Sequence, residues 1–499
     1  MRINFAAILA ALSGYLAAAQ ATSGNSNGSA LVKTSSGQFK GFIDQRYPNV
    51  RQFLKIPFAK PPVGQLRWSK PQALCASPDT TYDATQFPES CPQWALPSNI
   101  FNEVVPGYFL DGSTSEDCLY LGIWAPVKAQ NLPVVVFLYG GSFQTGGINI
   151  PYQMPSRLVQ RLPEMVVVVI NYRLNIFGFP NAPGLQDQNL GILDQRAGLE
   201  WVRDHIQAFG GDASRITLWG QSAGAVSTDY HNFAYRRDPI VSGFFAESGS
   251  AFVPIISSDA SQANFSFVAS HFGCRKSPGY SAGQLLVDCL RKMPFPDLQN
   301  FLRAATNNGT LPPAAFAPVA DDKVVFGNYT ARYEKGLVSD RPAIFSTCEN
   351  EGNALVPANR SGIDTALAEQ VTKTLLLCPT VKTAELRQAA GRTTYRYLFS
   401  GNFRTISPLP WMRSYHSSDI PMLFGTYGDF PPEGGPPSAL LTETSDFMQD
   451  SMLEFLRDPR RGLKGKGWPL LSEGTMLRLS ADGKVSQTIA IDSVDRICR

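Results

Sequence analysis

The stretch Ile216–Ser227, ITLWGQSAGAVS, decides the fold. A short apolar run ends at Gly220, and Ser222 then stands between two glycines, each two residues away. Small residues follow. In a strand-to-helix turn this G-x-S-x-G pattern has a mechanical logic. The turn is sharp, so the flanking residues must be small, and the serine Oγ is thrust out at the carboxyl end of a sheet. The same five residues in an ordinary loop would carry no chemistry. The neighbouring sequence therefore has to supply both the strand and the helix.

It does. LPVVVFLYGGSF (Leu132–Phe143) is a continuous apolar run closed by two glycines, and MVVVVINYRL (Met165–Leu174) is a second run of the same kind. Next, ILDQRAGLEWVRDHIQAFGGD places Leu193, Ala197, Trp201, Ile206 and Phe209 at helical spacing, with glycines to stop it. Short buried strands alternating with amphipathic helices predict parallel βαβ units and a sheet covered on both faces. The predicted class is α/β. Beyond residue 250, RPAIFST and TTYRYLFSG read as further strands, and SFVASHFG and SAGQLLVDCLRKM as helices, between proline-rich loops. No linker divides the chain, so one domain is expected over residues 22–499.

The 499 residues are 43% hydrophobic and 17% charged, with a net charge of +3. Such composition supports a large core and excludes the strong basic stripe of a nucleic-acid binder. The one dense basic run, RDPRRGLKGK (Arg457–Lys466), reads as a solvated loop. Arg2 followed by FAAILAALSGYLAAAQA reads as a secretory signal peptide over residues 1–21, cut after Ala21 or Ala19. The polar stretch after it argues against an anchor, and no later run is long enough to span a bilayer. Export makes the eight cysteines disulfide candidates, and with no CxxC pair and four histidines a metal cluster is not expected. Sequons at Asn27, Asn264, Asn308, Asn328 and Asn359 fit a glycosylated extracellular protein.

A serine nucleophile needs a base, and histidine is suited to that near neutral pH. The candidates are His205, His231, His271 and His416. The order serine, acid, histidine goes with a G-x-S-x-G elbow. His205 precedes the serine, His231 lies just behind it, and His271 leaves little room for an acid-bearing strand. His416 has the room. Glu349 and Glu351 follow the strand RPAIFST directly, with Asp364 further on, and position alone does not separate the two glutamates. YGGSF (Tyr139–Phe143) resembles a glycine-rich oxyanion loop, in which Gly141 and Ser142 would join Ala223 as backbone donors. Phe143, Trp219, Phe177, Gln221 and the Trp411 loop are pocket-lining candidates.

With these residues assembled, the chain resembles the type B carboxylesterases, the carboxylesterase/cholinesterase-like branch of the α/β-hydrolases. FLKIPFAKPPVGQLRWSKPQ and SEDCLYL are similar to the family's signatures, and GILDQRAGLEWVRDHIQAFGGDASRITLWGQSAGA follows its nucleophile segment closely. MQDSMLEFLRDPRRG and GWP resemble its C-terminal part, so the likeness runs from about residue 30 to near 490. It implies an α/β-hydrolase fold and a secreted serine hydrolase of small-molecule carboxylic esters that needs no cofactor. It implies Ser222, Glu351 and His416 as the triad, with Glu351 preferred to Glu349 because ENEG stands where relatives have D-E-G. It also implies disulfides Cys91–Cys118 and Cys274–Cys289 and a structural ion pair Arg67–Glu116. The cysteines left over are assigned as Cys348–Cys378 and Cys75–Cys498. Two departures stand out: Gln221 where relatives usually carry Glu, and Ser142 in place of a third glycine. Trp94 follows Cys91 too closely to match the choline-cradling tryptophan, which points away from cholinesterase activity. WALPSNIFNEVVPGYFL, between Cys91 and Cys118, would serve as a lid in a lipase, the alternative reading. An acyltransferase or esterase of secondary metabolites is another, and adhesion-type relatives without a triad represent a third class.

Overall fold

The computed structural model describes residues 29–74, 77–94, 103–108, 110, 112–274, 282–308, 316–429 and 434–499. The signal-peptide segment, Cys75, Asn27 and most of the lid candidate lie outside them.

The first strands form an antiparallel approach: β1 (Ser29–Thr34), β2 (Gly37–Ile43), β3 (Val50–Pro57) and a short β4 (Thr81–Asp83) beside β2. Then come β5 (Tyr120–Pro126), β6 (Leu132–Leu138), β7 (Val166–Ile170), β8 (Gly211–Gln221), β9 (Gly243–Glu247) and β10 (Ala343–Cys348). The last three are β11 (Thr394–Phe399), β12 (Thr475–Ala481) and β13 (Lys484–Ala490). Together they make one 13-stranded sheet in the order β1-β2-β3-β5-β7-β6-β8-β9-β10-β11-β12-β13, with β4 on the side of β2. From β7 to β12 every pairing is parallel. This is an α/β-hydrolase fold.

Every residue of β7, β9, β10 and β11 is buried. That explains the unbroken apolar runs in the sequence, since a strand covered on both faces has no polar side to present. The flanking helices that matter for the site are α1 (Leu190–His205), α2 (Ala223–Ala234), α3 (Cys378–Ala389), α4 (Ile420–Phe424) and α5 (Ala439–Arg457). A second apolar cluster, with Trp68, Trp94, Phe177, Phe265, Leu286 and Leu302, sits beside the main core.

Buried ion pairs fix the connections. Arg67 meets Glu116 through two 2.6 Å bonds, Nε to Oε1 and Nη2 to Oε2, and its Nη1 donates to the carbonyls of Leu290 and Met293. Arg173, after β7, grips Asp194 of α1 through Nε and Nη2, both at 2.7 Å. Arg396 of β11 pairs with Asp495 at 2.6 Å.

The cysteines bring one correction. Cys91–Cys118 and Cys274–Cys289 are bonded, but Cys378 bonds Cys498, not Cys348. Cys378 opens α3 and meets the C-terminal turn with its Cα 5.2 Å from that of Cys498. Cys348 closes β10 as a buried free thiol, turned toward Asp419. The pairings Cys348–Cys378 and Cys75–Cys498 therefore do not hold.

Candidate active site

Ser222 stands between β8 and α2 with φ 55° and ψ −121°, a backbone region that side chains other than glycine rarely occupy. The two glycines make this possible. A Cβ on Gly220 would lie 2.1 Å from the carbonyl oxygen of Gly224, and one on Gly224 would lie 2.0 Å from that of Leu138. No side chain fits either gap. The strained turn is held from below, where the Ser222 N–H donates to the carbonyl of Glu247 at 2.9 Å and its carbonyl accepts from the Val226 N–H. Ser222 is thus half-buried at the start of a 12-residue helix whose first N–H groups face the same space.

The oxyanion-loop candidates leave β6 with three consecutive left-handed residues: Gly141 at φ 107°, Ser142 at 55° and Phe143 at 60°. Gly140 lets this loop close on the nucleophile, since a Cβ there would come within 2.5 Å of Gln221 Oε1 and 2.9 Å of Ser222 Cβ. Gly141 and Ser142 are exposed, so their backbone faces solvent beside Ser222.

His416 lies in the loop before α4, zipped to the turn after β10. Its N–H donates to the Glu351 carbonyl at 3.3 Å, and the Asn350 N–H donates to that of Ser414 at 3.0 Å. Glu351 is fully buried, and its Oε2 stands 2.5 Å from His416 Nδ1 while Oε1 accepts from the Cys348 N–H. A carboxylate at that distance requires Nδ1 to carry the proton, leaving the lone pair on Nε2. The rival acids are engaged elsewhere: Glu349 pairs with Arg478 at 2.9 Å, and Asp364 caps a short helix by accepting from the Leu367 N–H. Among the other histidines, His231 is buried on α2, where burial, aided by the Arg196 charge, pushes its pKa down to about 3. It stays neutral and remote from base chemistry.

Gln221 proves to be part of this constellation. It is buried, its Nε2 lies 3.3 Å from His416 Nε2, and it donates to Ser417 Oγ at 2.6 Å. Ser417 itself has φ 76°, and its carbonyl accepts from Tyr108 at 2.5 Å, so the segment beyond the histidine is clamped from two sides.

Residues 28–366 match the sequence pattern of the Carboxylesterase family. The chain belongs to the carboxylesterase family. It is a carboxylic-ester hydrolase of the carboxylesterase and lipase type. A chlorogenic acid esterase of Aspergillus niger is 39% identical over 492 residues, covering 94% of each chain. Secreted lipase 5 of Gibberella zeae is 38% identical over 526 residues, covering 97% of this chain and 96% of the lipase. A mouse cholinesterase is 32% identical over 340 residues, covering 65% of this chain and 54% of its own.

Two pocket candidates of this carboxylesterase belong instead to its core. Trp219 and Phe143 are both 0% exposed. The Trp219 ring lies among Phe137, Phe245 and Phe424, and its indole N–H donates to Glu247 Oε2 at 2.8 Å. Phe143 packs edge-on against Phe179. Phe177 is buried beside Arg67, and only Trp411, half-buried, is left with an open edge.

Sequence reasoning missed what lies beneath the histidine. Glu247, Asp419 and Glu351 are three fully buried carboxyls around the Cys348 thiol. Tyr397 donates to Asp419 Oδ2 at 3.1 Å, and the Cys348 thiol lies 3.4 Å from Asp419 Oδ1. The readable signal was an acidic residue closing the otherwise apolar FFAE strand.

Proposed function

We propose that this carboxylesterase is a secreted serine esterase that works through an acyl-enzyme on Ser222. The observation that carries the reading is the 2.5 Å contact from His416 Nδ1 to Glu351 Oε2, with the opposite ring nitrogen 3.3 Å from the side chain of Gln221, the residue before Ser222. Ser222 Oγ attacks the ester carbonyl as His416 Nε2 takes its proton. The buried Glu351 carboxylate holds the ring tautomer and stabilises the imidazolium that forms. Backbone N–H groups of Gly141, Ser142 and Ala223 receive the developing oxyanion, where each donor is worth about 2.7–4 kcal/mol. His416 then protonates the leaving alcohol, and water repeats the sequence to release the acid.

The names of the two fungal relatives set the first substrate panel: chlorogenic acid, p-nitrophenyl esters of increasing chain length, and emulsified triglyceride. Activity that jumps on the emulsion favours the lipase reading, which the 38% identity to a secreted lipase supports. Ser222→Ala should abolish both hydrolysis and labelling by a fluorophosphonate. A Ser222→Ala protein that keeps full activity ends the proposal. In the same reading, residues 1–21 are removed on export, residues 22–499 fold as one domain, and sugars sit on the exposed Asn328 and Asn359. N-terminal sequencing and endoglycosidase treatment of protein collected from culture medium test those points.

A further inference from the structure

Buried carboxyls normally face a cation, yet Glu247 and Asp419 do not. Glu247 ends β9, next to the nucleophile strand: its carbonyl receives the Ser222 N–H, and its Oε2 receives the Trp219 N–H. Asp419 precedes α4, three residues after His416, and accepts from Tyr397. The groups facing this pair are Glu351, Cys348, Tyr397, Trp219, Tyr108 and Tyr415; among the described residues no Lys or Arg bonds to either carboxyl. Glu247 Oε1 finds no N–H or O–H donor, and burial, with the Asp419 charge nearby, holds the Glu247 carboxyl well above its usual range. Two such carboxyls can bond to each other only if one keeps its proton.

We propose that Glu247 and Asp419 form an acid–carboxylate pair, with one proton on Glu247 and one negative charge on Asp419. The pair ties the nucleophile strand to the histidine loop and sets a second anion beneath the Glu351–His416 couple. Three ionised carboxylates packed together would repel strongly in this low-dielectric space, whereas one retained proton removes that conflict. The proton belongs on Glu247: Asp419 accepts from Tyr397 and meets the Cys348 thiol, which favours its charged form, whereas Glu247 Oε1 meets no donor. Glu247 and Asp419 are positioning residues, acting on the substrate through Ser222 and His416. The inference rests on the proposed serine-esterase reading.

Glu247→Gln mimics the protonated acid, with an amide oxygen for Trp219 and an N–H for Asp419. The test compares pH profiles of kcat/KM for the wild type, Glu247→Gln and Glu247→Gln/Asp419→Asn. The single variant should lose activity at the same acid pH as the wild type. Adding Asp419→Asn should move that point about one pH unit lower, because an anion favouring the imidazolium is gone. A shift already complete in Glu247→Gln, or no shift in the double variant, overturns the proposal. A second measurement needs no turnover and survives failure of the esterase reading. The infrared difference between wild type and Glu247→Gln at neutral pH should contain the carbonyl band of a protonated carboxyl, and a difference spectrum without it also overturns the proposal.

Discussion

Two sets of buried carboxyls in this molecule are treated in opposite ways. In the scaffold, Glu116, Asp194 and Asp495 each meet a guanidinium that is itself buried. Under Ser222, Glu351, Glu247 and Asp419 have no such partner among the described residues, and the one basic group bonded to the set is the imidazole of His416, on Glu351. A guanidinium is always charged, so the first set is electrostatically settled and serves to pin segments together. A histidine changes charge during a proton transfer. A site that must stabilise that change has to keep its negative charge uncancelled until the moment it is used.

Breaking the second set should cost activity, and breaking the first should cost stability. The largest effect is expected for Glu351→Gln, which leaves the ring without a carboxylate and disturbs its tautomer. kcat should fall about 10⁴-fold with the melting temperature little changed; a loss below tenfold would remove Glu351 from the triad. Next comes Arg67→Met, which strands Glu116 and two carbonyls. Denaturant titration should show a loss of about 3–5 kcal/mol, with the protein that is still folded fully active. Replacing Glu116 by Leu as well should recover part of this, since the Leu290 and Met293 carbonyls still lack their donor.

A smaller effect separates the sets by pH. Because Glu247 titrates higher folded than unfolded, the folded chain holds more protons, and wild-type stability declines as pH rises from near 4.5 toward the raised value. Glu247→Gln lacks that slope, so its stability relative to wild type should grow as pH rises above about 5. Equal slopes in the two proteins would mean that Glu247 is ionised in the fold. The smallest expected change is at Gln221. Gln221→Glu adds a charge next to the nucleophile and should raise preference for cationic over neutral alcohol esters roughly fivefold, the size of about 1 kcal/mol. An unchanged ratio would assign Gln221 to holding Ser417 and His416 alone.

Much of this was legible in the chain. The unbroken runs of β6 and β7 announced strands covered on both faces, and the cramped glycines around Ser222 announced the elbow. Chain order favoured His416 over the other histidines. The antiparallel strands at either end were not read, because half-exposed strands such as β13, with its mostly polar residues, lack a continuous apolar run. The cysteine pairing also escaped, since Cys378 and Cys498 are 120 residues apart and meet only once α3 and the C-terminal turn are packed. Trp219 and Phe143 looked like pocket walls because an aromatic residue beside a nucleophile can face either way. Only packing reveals that both turn inward.

The Cys378–Cys498 bond closes a covalent ring around β11, His416, Asp419 and α5, and it leaves Ser222 and Glu351 outside. This bond therefore restrains the segment that carries His416 and not the one that carries Ser222. A ring of this size restricts the unfolded chain by an amount worth about 4–5 kcal/mol, all of it on the segment that carries His416. In the proposed mechanism, opening this one bond would leave the segment of the Ser222 elbow untouched and loosen the hold on the proton acceptor.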